Sequence, residues 1–420
     1  MTVSEVVVVL DEADRGEPID VGILRRERRG ATDVVRFSYS TTWLDGVPDA
    51  FPIDPELPLY PGDQFPGKPR ELFGTFRDTS PDRWGRVLME RREALEARTE
   101  RRKPRRLGEW DFLLGVSDAT RMGGLRLRER EGEQRYLDDR VLGVPPAASL
   151  RELEAIAMAV DAPDSDMQPE YATWLRQLVA PGSSLGGGRP KATFLAEDGS
   201  LWIAKFPGRQ DRIDVGAWEF LAHELARRAK ISVPDALHMQ FGSEHHTFAV
   251  KRFDREENGR RLYASAMTLL LGDDRETASY LEIAQALQDH GDPETIATDL
   301  AELYRRVVFN VIVGNRDDHL RNHGFLRGSR GWRLAPAFDV NPNPDKADHA
   351  LALDESSNTP SVASVRKTRD LYRLSAAAAS RIERQVQSAV QDWQTIARKI
   401  GITRREIERL ETVIDPSIDV

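Results

Sequence analysis

Three polar side chains in the last third of the chain have the types and spacing that phosphoryl transfer from a nucleotide requires. Asp317 stands five residues before Asn322 in the segment GNRDDHLRN, and Asp339 follows in the segment FDVNP. One carboxylate can orient a hydroxyl nucleophile, while an amide oxygen and a second carboxylate can hold Mg²⁺ against the phosphates. The pattern therefore predicts a kinase. The alternative is a surface loop in which the same residues only cap helices and satisfy turns.

The elements around this loop can be predicted from apolar spacing. A helix is predicted to end at Gly314, because the preceding apolar residues fall at helical intervals. Those residues are Leu303, Val307, Val308, Val311 and Ile312. Residues 324–326 and 332–334 flank the turn-forming letters GSRG, which indicates a hairpin. Helix, polar loop, hairpin and a closing Asp339 are the order of a protein-kinase-like active site.

Lys205 is the second candidate, because it lies in LWIAKFP, a run typical of a strand. Residues 193–196 precede this run across the turn-forming letters EDGS, so we expect a hairpin here too. Burying the Lys205 ammonium without a partner would cost roughly several kcal/mol of folding free energy. Nucleotide phosphates are a natural partner for such an ammonium. Alternatively, Lys205 extends its charged end to solvent. Glu219, in a helix predicted over 218–230, could pair with Lys205.

The segment SSLGGGRPK, residues 183–191, precedes the Lys205 hairpin. Adjacent glycines let a backbone approach a ligand closely, and exposed amides can bind phosphate. A flexible linker is the alternative, and the segment does not match a Walker loop. Residues 248–255 read FAVKRFDR, a predicted strand at which Lys251 and Phe253 would offer backbone groups to an adenine. An ordinary edge strand is the alternative there.

Taken in order, these motifs resemble those of the HipA-type serine/threonine kinases, the toxins of bacterial type II toxin-antitoxin modules. The resemblance covers about residues 180 to 345 and lies in SSLGGGRPK, WIAKFP, VKRFDR, DDHLRN and FDVNP. It implies Asp317 as the catalytic base, Asn322 and Asp339 as Mg²⁺ ligands, and Lys205 as the phosphate lysine. His319 is similar to a family histidine near the nucleotide. The cofactors implied are ATP and Mg²⁺.

The resemblance also assigns the phosphate loop and the hinge. Ser184 matches a serine that family members autophosphorylate, and Ser183 is its neighbour. A phosphoserine adds nearly two negative charges to a loop that receives ATP phosphates, so it should repel the nucleotide. The nucleotide-binding set implied is Ser184, Gly186, Gly187, Gly188, Lys191, Lys205, Lys251, Phe253, Asp254 and His319.

The fold class expected is α+β, a two-lobed protein-kinase-like fold with a small β-rich N-terminal subdomain and a mostly helical C-terminal lobe. We expect a partner-contacting subdomain at 1–150, a nucleotide-binding lobe at 151–260 and a catalytic lobe at 261–420. Apolar runs predict short strands at 6–10, 20–24 and 34–39. Ser80 followed by Pro81 predicts the N-cap and first turn of a helix that runs through Arg92.

Composition narrows the class of protein. The 420 residues carry a net charge of −9, which argues against autonomous DNA binding, because that mode depends on basic surface. The basic stretch RTERRKPRR at 98–106 is typical of a solvated helix end and linker; the alternative is a contact to nucleic acid or to an acidic partner, secondary to the binding of another protein. The chain has no cysteine, which leaves oxygen-ligated Mg²⁺ as the expected metal. Because no apolar run approaches a membrane span and no signal peptide is evident, we expect a cytoplasmic protein.

Three functions remain open. The first is a toxin kinase that phosphorylates a host protein, for example an aminoacyl-tRNA synthetase by resemblance. The second is a small-molecule kinase, because residues 260–271 are mostly apolar where family members carry a His-x-Glu-Asp stretch. The third is a co-repressor that reaches DNA only through a helix-turn-helix, HipB-like antitoxin.

Overall fold

A computed structural model describes residues 3–29, 32–67, 70–130, 135–137, 143–179, 187–272 and 278–418. The chain forms two compact units. Unit 1 comprises Met1–Arg209 and Asp254–Ala264, and unit 2 comprises Gln210–Phe253 and Ser265–Val420. The three functional segments expected from the sequence, divided at residues 150 and 260, stay a prediction.

Unit 1 begins with a four-stranded antiparallel sheet, whose strands are β1 (Val3–Leu10), β2 (Ile19–Arg29), β3 (Thr32–Tyr39) and β4 (Leu125–Glu129). Their order in the sheet is β3-β2-β1-β4. Val6 and Val8 are buried at alternate positions of β1, and Val9 is buried after the register shift between Val8 and Val9. The three strands predicted in this region are confirmed.

The helices and remaining strands of unit 1 follow in chain order. The helices are α1 (Thr41–Gly46), α2 (Gly74–Asp78), α3 (Arg83–Thr99), α4 (Glu109–Leu114), α5 (Leu150–Val160) and α6 (Tyr171–Val179). The strands are β5 (Lys191–Leu195), β6 (Leu201–Lys205), β9 (Arg255–Glu256) and β10 (Gly259–Arg260), while β11 (Tyr263–Ser265) continues into unit 2.

The start of α3 differs from the sequence prediction. The N-cap is Asp82, whose Oδ1 accepts a hydrogen bond from the Gly85 amide at 2.8 Å. Ser80 lies before the helix and donates its hydroxyl to the Phe76 carbonyl at 3.0 Å. The prediction of Ser80 as the cap was therefore wrong, and the helix also continues past Arg92 to Thr99. Asp is as good a cap as Ser, so the local sequence offered two starts.

The hairpin expected before Lys205 is confirmed. Strands β5 and β6 pair antiparallel, and Gly199 takes the positive φ of 79° that the connecting turn requires. Lys191 and Lys205 stand directly opposite each other in this register. Like charges at such a pair destabilise a sheet unless a counter-charge is near.

Unit 2 is mostly helical. Its helices are α7 (Val215–Arg228), α8 (Ala266–Leu269), α9 (Tyr280–His290), α10 (Ile296–Val313), α11 (Val362–Lys367), α12 (Ala376–Val390), α13 (Trp393–Ile400) and α14 (Arg404–Leu410). Its hairpins are β7 (Ala236–Met239) with β8 (Thr247–Lys251), and β12 (Gly324–Arg327) with β13 (Trp332–Leu334). The predicted hairpin after the polar loop is confirmed. Among the described residues, no helix combines the length and apolarity needed to cross a bilayer.

Helix α10 is the rigid support of the candidate site. Leu303, Val307 and Ile312 are fully buried along it. The helix ends, as predicted, at Gly314, which has φ 70°. A Cβ at that position would lie 2.6 Å from the Val413 Cβ, so both the backbone angle and the close packing require glycine.

Candidate functional site

The loop that leaves α10 carries the predicted catalytic residues. Asp317 is exposed, and its carboxylate forms an ion pair with the ammonium of Lys346. His319 is also exposed, whereas Asn322 is half-buried in the one-turn 3-10 helix Leu320–Asn322. The loop thus presents an acid to solvent and an amide beside the protein interior.

Asp318, the neighbour of Asp317, points the other way and is 3% exposed. Its Oδ2 accepts hydrogen bonds from the Tyr280 hydroxyl at 2.7 Å and from the Asn310 amide at 2.8 Å. The same oxygen lies 2.7 Å from Nε2 of His323, which can donate to it. Burial alone would raise the pKa of Asp318, but His323 and the Tyr280 hydroxyl hold that pKa below its usual value. Asp318 therefore fastens the loop to α9 and α10, and to its own end at His323, through one buried charge.

A second set of contacts joins this loop to the segment of Asp339. Asn315 donates its amide to Oδ1 of Asn310 at 3.1 Å, and its own Oδ1 accepts the Asn341 amide N–H at 3.3 Å. Asn343 donates its backbone N–H to the Gly314 carbonyl at 2.8 Å. Asp339 itself has φ 57°, a strained value for a residue with a Cβ. Such outliers concentrate at functional sites.

A small pocket lies where the two segments meet. Its cavity volume is about 20 Å³, and it is lined by Asn322, His323, Phe338 and Val340 among others. The last two flank Asp339, so the predicted metal amide and the neighbours of the predicted metal carboxylate border one cavity. Phe253 of the predicted hinge packs on Phe338, with ring centroids 5.5 Å apart.

The oxygen atoms of the predicted ligands Asn322 and Asp339 suit Mg²⁺ better than they suit a metal that is bound by protein side chains alone. Within the described ranges, no group of three or more His, Cys, Asp or Glu side chains could hold a metal ion. Asn322 and Asp339 offer oxygen atoms, which Mg²⁺ prefers, and Mg²⁺ normally completes its shell with water and substrate phosphates. Their assignment as Mg²⁺ ligands stays a prediction.

His349 is a buried histidine behind the loop. It is 1% exposed, and burial lowers its pKa from 6.5 to about 4, against the weaker opposing effect of Asp318. The imidazole is therefore neutral near pH 7. The neighbouring residue Ala350 donates its backbone N–H to the Arg316 carbonyl at 3.0 Å.

Lys191 in unit 1 has a different environment from the one that its predicted role suggests. Its side chain is 1% exposed, and its Nζ lies 2.6 Å from Oδ2 of Asp82 and 2.8 Å from the Gly187 carbonyl. The ammonium therefore joins the start of α3 to the end of the glycine segment. Gly187 and Gly188 themselves are exposed. The nucleotide role of these three residues stays a prediction.

The other predicted nucleotide residues fall in both units. Lys205 ends β6 in unit 1 and is half-buried, and Lys251 ends β8 in unit 2 and is half-buried. Asp254 is fully buried in unit 1, where it accepts the Gly123 amide at 2.7 Å and pairs with Arg255 at 2.6 Å. Glu219 is buried within α7. Ser183, Ser184 and Gly186 lie outside the described residues.

The buried network around Asp318 is not among the residues predicted from the sequence. Asp318, Asn310, Tyr280 and His323 were not singled out, because their partners lie up to 38 residues apart. A signal for one of them was present, since DDHLRNH contains a second Asp and a second His beside the predicted pair. Where the backbone is extended, adjacent side chains point to opposite sides, so one of two neighbouring acids can face the interior, where it needs partners.

The predicted departure at residues 260–271 is largely explained by packing. Leu262, Tyr263, Met267 and Leu269 are buried, whereas Leu271 is 47% exposed. The apolar character of this stretch therefore supplies the protein core.

Comparison with known proteins agrees with these observations. The profile of the HipA-like C-terminal domain matches residues 183–394, which contain the loop, both hairpins and Asp339. The chain therefore belongs to the HipA-like family, and the resemblance inferred from its motifs is confirmed.

Two curated relatives are similar over part of their length. Y4dM of Sinorhizobium fredii, which carries the name of a candidate kinase, is 31% identical over 157 residues, 34% of this chain and 37% of that protein. A Haemophilus influenzae protein, also named as a candidate kinase, is 25% identical over 190 residues, 39% of this chain and 54% of that protein. The matches thus span only about a third to a half of these relatives.

A solved structure supports the fold over nearly the whole chain. HipA of Shewanella oneidensis MR-1, determined with HipB and its operator DNA, matches with a TM-score of 0.64 over 97% of this chain and 96% of that chain. Sequence identity is 14%, so the similarity concerns the fold alone. The predicted α+β class, with a β-rich N-terminal part and a helical C-terminal region, is confirmed.

Proposed function

We propose that this chain is an ATP- and Mg²⁺-dependent kinase of the HipA type that transfers a phosphoryl group to a serine or threonine hydroxyl. One observation carries the proposal: exposed Asp317 and half-buried Asn322 occupy a single loop, which buried Asp318 fastens to the helices α9 and α10. In that arrangement Asp317 would act as a base at the solvent-exposed side of the loop, and Asn322 would act as an oxygen ligand beside the Asp339 segment. Membership of the HipA-like family supports the same chemistry.

Positioning and charge neutralisation would do most of the work in this reaction. Asp317 would orient the substrate hydroxyl and accept its proton. Asn322 and Asp339 would hold Mg²⁺, which neutralises charge on the nucleotide phosphates. Lys205 and residues 183–191 are the proposed phosphate-binding residues, and phosphorylation of Ser184 would oppose nucleotide binding by charge repulsion.

The test is transfer of label from γ-labelled ATP with Mg²⁺ by the purified chain. Asp317→Asn should lower kcat by about 10²–10⁴-fold and leave folding intact, because the side chain is 59% exposed. Asp370→Asn, which changes an aspartate that is 77% exposed on another part of unit 2, is the matched control and should retain activity. Unchanged transfer by Asp317→Asn would remove the base assignment.

The phosphate acceptor can be identified in the same way. Peptide mapping after incubation with ATP should find phosphate on Ser184 or Ser183 and on a protein of the host lysate. Label that appears only in metabolites would replace the protein kinase with the small-molecule kinase.

A HipB-like helix-turn-helix antitoxin is the proposed partner. The Shewanella HipA that shares this fold was determined with HipB and operator DNA, and the net charge of −9 disfavours DNA binding by this chain alone. We expect the purified chain to shift operator DNA only when the antitoxin is present. A shift by the chain alone would contradict this indirect mode.

A further inference from the structure

Lys346 lies outside every motif discussed above, yet its ammonium contacts the carboxylate of Asp317. The lysine follows the Asp339 segment in the sequence NPNPDK. The contact therefore brings a positive charge from a second segment to the proposed catalytic base.

The backbone around Lys346 is fastened on both sides. Arg316, in the loop, donates Nη1 to the Lys346 carbonyl at 2.6 Å. Asp345 pairs with Arg409 of α14 at 2.6 Å, and its backbone N–H bonds to Oδ1 of Asn343 at 3.0 Å. These contacts hold the backbone of Lys346 near the loop, and from there its four-carbon side chain reaches the carboxylate of Asp317.

Stability does not account for this ion pair. The side chains of Lys346 and Asp317 are 44% and 59% exposed, respectively. Exposed pairs contribute about 0–1 kcal/mol, because water screens the charges and both side chains lose freedom. A cation beside the proposed base could contribute more to phosphoryl transfer than to stability, because negative charge shifts among the phosphoryl oxygens during that reaction.

We propose that Lys346 is a further catalytic residue, whose ammonium contacts the transferred phosphoryl group as the substrate hydroxyl approaches Asp317. This inference rests on the proposed kinase function. A substrate hydroxyl bonded to Asp317 lies within reach of the same ammonium, and so does the phosphorus that the hydroxyl attacks. Before substrate binds, the ammonium of Lys346 pairs with the carboxylate of Asp317. After substrate binds, the same ammonium contacts the phosphoryl oxygens.

The step conserves atoms and charge without consuming the lysine. The hydroxyl oxygen forms a bond to the γ-phosphorus, and the bond from that phosphorus to the β,γ-bridging oxygen breaks. The bridging oxygen keeps the electron pair and leaves with ADP, and the hydroxyl proton passes to Asp317. Lys346 keeps its proton and stabilises negative charge on the equatorial phosphoryl oxygens, a role for which cations in related reactions contribute about 10³–10⁵-fold.

The experiment compares steady-state transfer by Lys346→Met, Lys346→Arg and Lys399→Met with that of the full wild-type chain. Lys399 is an exposed lysine of α13 and serves as the matched control. We expect Lys346→Met to lower kcat at least about tenfold with a KM for ATP within about threefold, because the loss falls on the transition state. Lys346→Arg should recover most of the rate, and added methylammonium should partly rescue a Lys346→Gly variant. Lys399→Met should stay within about twofold of wild type.

The outcomes separate this inference from the function on which it rests. Absence of transfer by the wild type would remove the proposed function, and full activity of Asp317→Asn would remove the base assignment. If wild type is active and Asp317→Asn is not, a normal kcat for Lys346→Met would overturn the role of Lys346 alone. A rise in kcat would also overturn it, since the lysine would then only shield the base.

Discussion

Asp82 in unit 1 and Asp318 in unit 2 are both buried carboxylates, but their partners differ. Asp82 faces the full charge of Lys191 and also caps a helix. Burial raises the pKa of Asp82, with Lys191 opposing that rise. Asp318 is surrounded by a hydroxyl, an amide and an imidazole, and its pKa is lowered.

The difference shows what each buried charge does. The ion pair between Asp82 and Lys191 joins two segments of unit 1 and, in the part of the chain that the structure describes, contacts none of the proposed catalytic residues. Its loss should therefore affect mainly the stability of the protein. Asp318 lies next in sequence to the exposed Asp317, so its contacts also determine where the proposed catalytic base stands. Unit 1 uses a buried charge as an anchor, and unit 2 uses one to position a loop. Four predictions test this comparison.

The largest effect is expected from Lys191→Met. Removing one partner of a buried ion pair leaves the other charge uncompensated and costs about 3–5 kcal/mol. Hydrogen exchange of peptides from unit 1 should accelerate, while peptides from α10 keep their protection. The double variant Lys191→Met with Asp82→Leu should recover part of the loss, because it removes the stranded charge. If the double variant is no more stable than the single one, the ion pair is not the cause.

Unit 2 should lose stability as the pH falls from about 6.5 to 4. The folded pKa of His349 is about 4 and its ordinary value is 6.5, so the unfolded chain binds the proton more tightly in this range. The loss is fully developed below pH 4 and amounts to roughly 3 kcal/mol at about 1.4 kcal/mol per pKa unit. The free energy of unfolding can be measured at each pH by denaturant titration, with hydrogen exchange of peptides from α10 as the probe. His349→Gln should flatten this dependence, and an unchanged slope would show that other groups cause it.

Unit 1 should show the opposite dependence. Burial raises the pKa of Glu12 from 4.5 to about 7, against the Leu262 amide and Arg261, so the folded state binds the proton more tightly. Its contribution is present below pH 4.5 and is lost as the pH rises through 7, by up to roughly 3 kcal/mol. The measurement is the hydrogen-exchange protection of peptides from β1, compared between pH 5 and pH 8. Glu12→Gln, which keeps an oxygen acceptor for the Leu262 amide, should remove the difference.

The smallest expected effect in stability is that of Tyr280→Phe. It removes one of three hydrogen bonds to Asp318 and should cost about 0.5–1.5 kcal/mol. Tyr304→Phe is the matched control, because that hydroxyl donates to the buried carboxylate of Glu383 at 2.6 Å, away from the loop. Both variants should melt at similarly lowered temperatures, but only Tyr280→Phe should also lower kcat. Equal kcat values in the two variants would mean that the Asp318 network does not position Asp317.

Much of the local structure could be predicted from the sequence. The end of α10 at Gly314, both hairpins beside the candidate residues and the first three strands follow from apolar spacing and turn residues, which act over a few positions. The motif order from the glycine segment to FDVNP also identified the family correctly. The N-cap of α3 shows the limit of local signals, since Ser80 and Asp82 fit the same rule and the structure uses Asp82.

The amino-acid sequence by itself determined the elements, the family and the candidate residues Asp317, Asn322 and Asp339. Only the tertiary structure decided which charges are buried and what they contact. Asp82 and Lys191 are 109 residues apart in the sequence, and Lys346 and Asp317 are 29 residues apart. Contacts over such distances leave no periodic trace in the chain, because they depend on how whole elements pack. Desolvation then gives each buried charge its energetic weight.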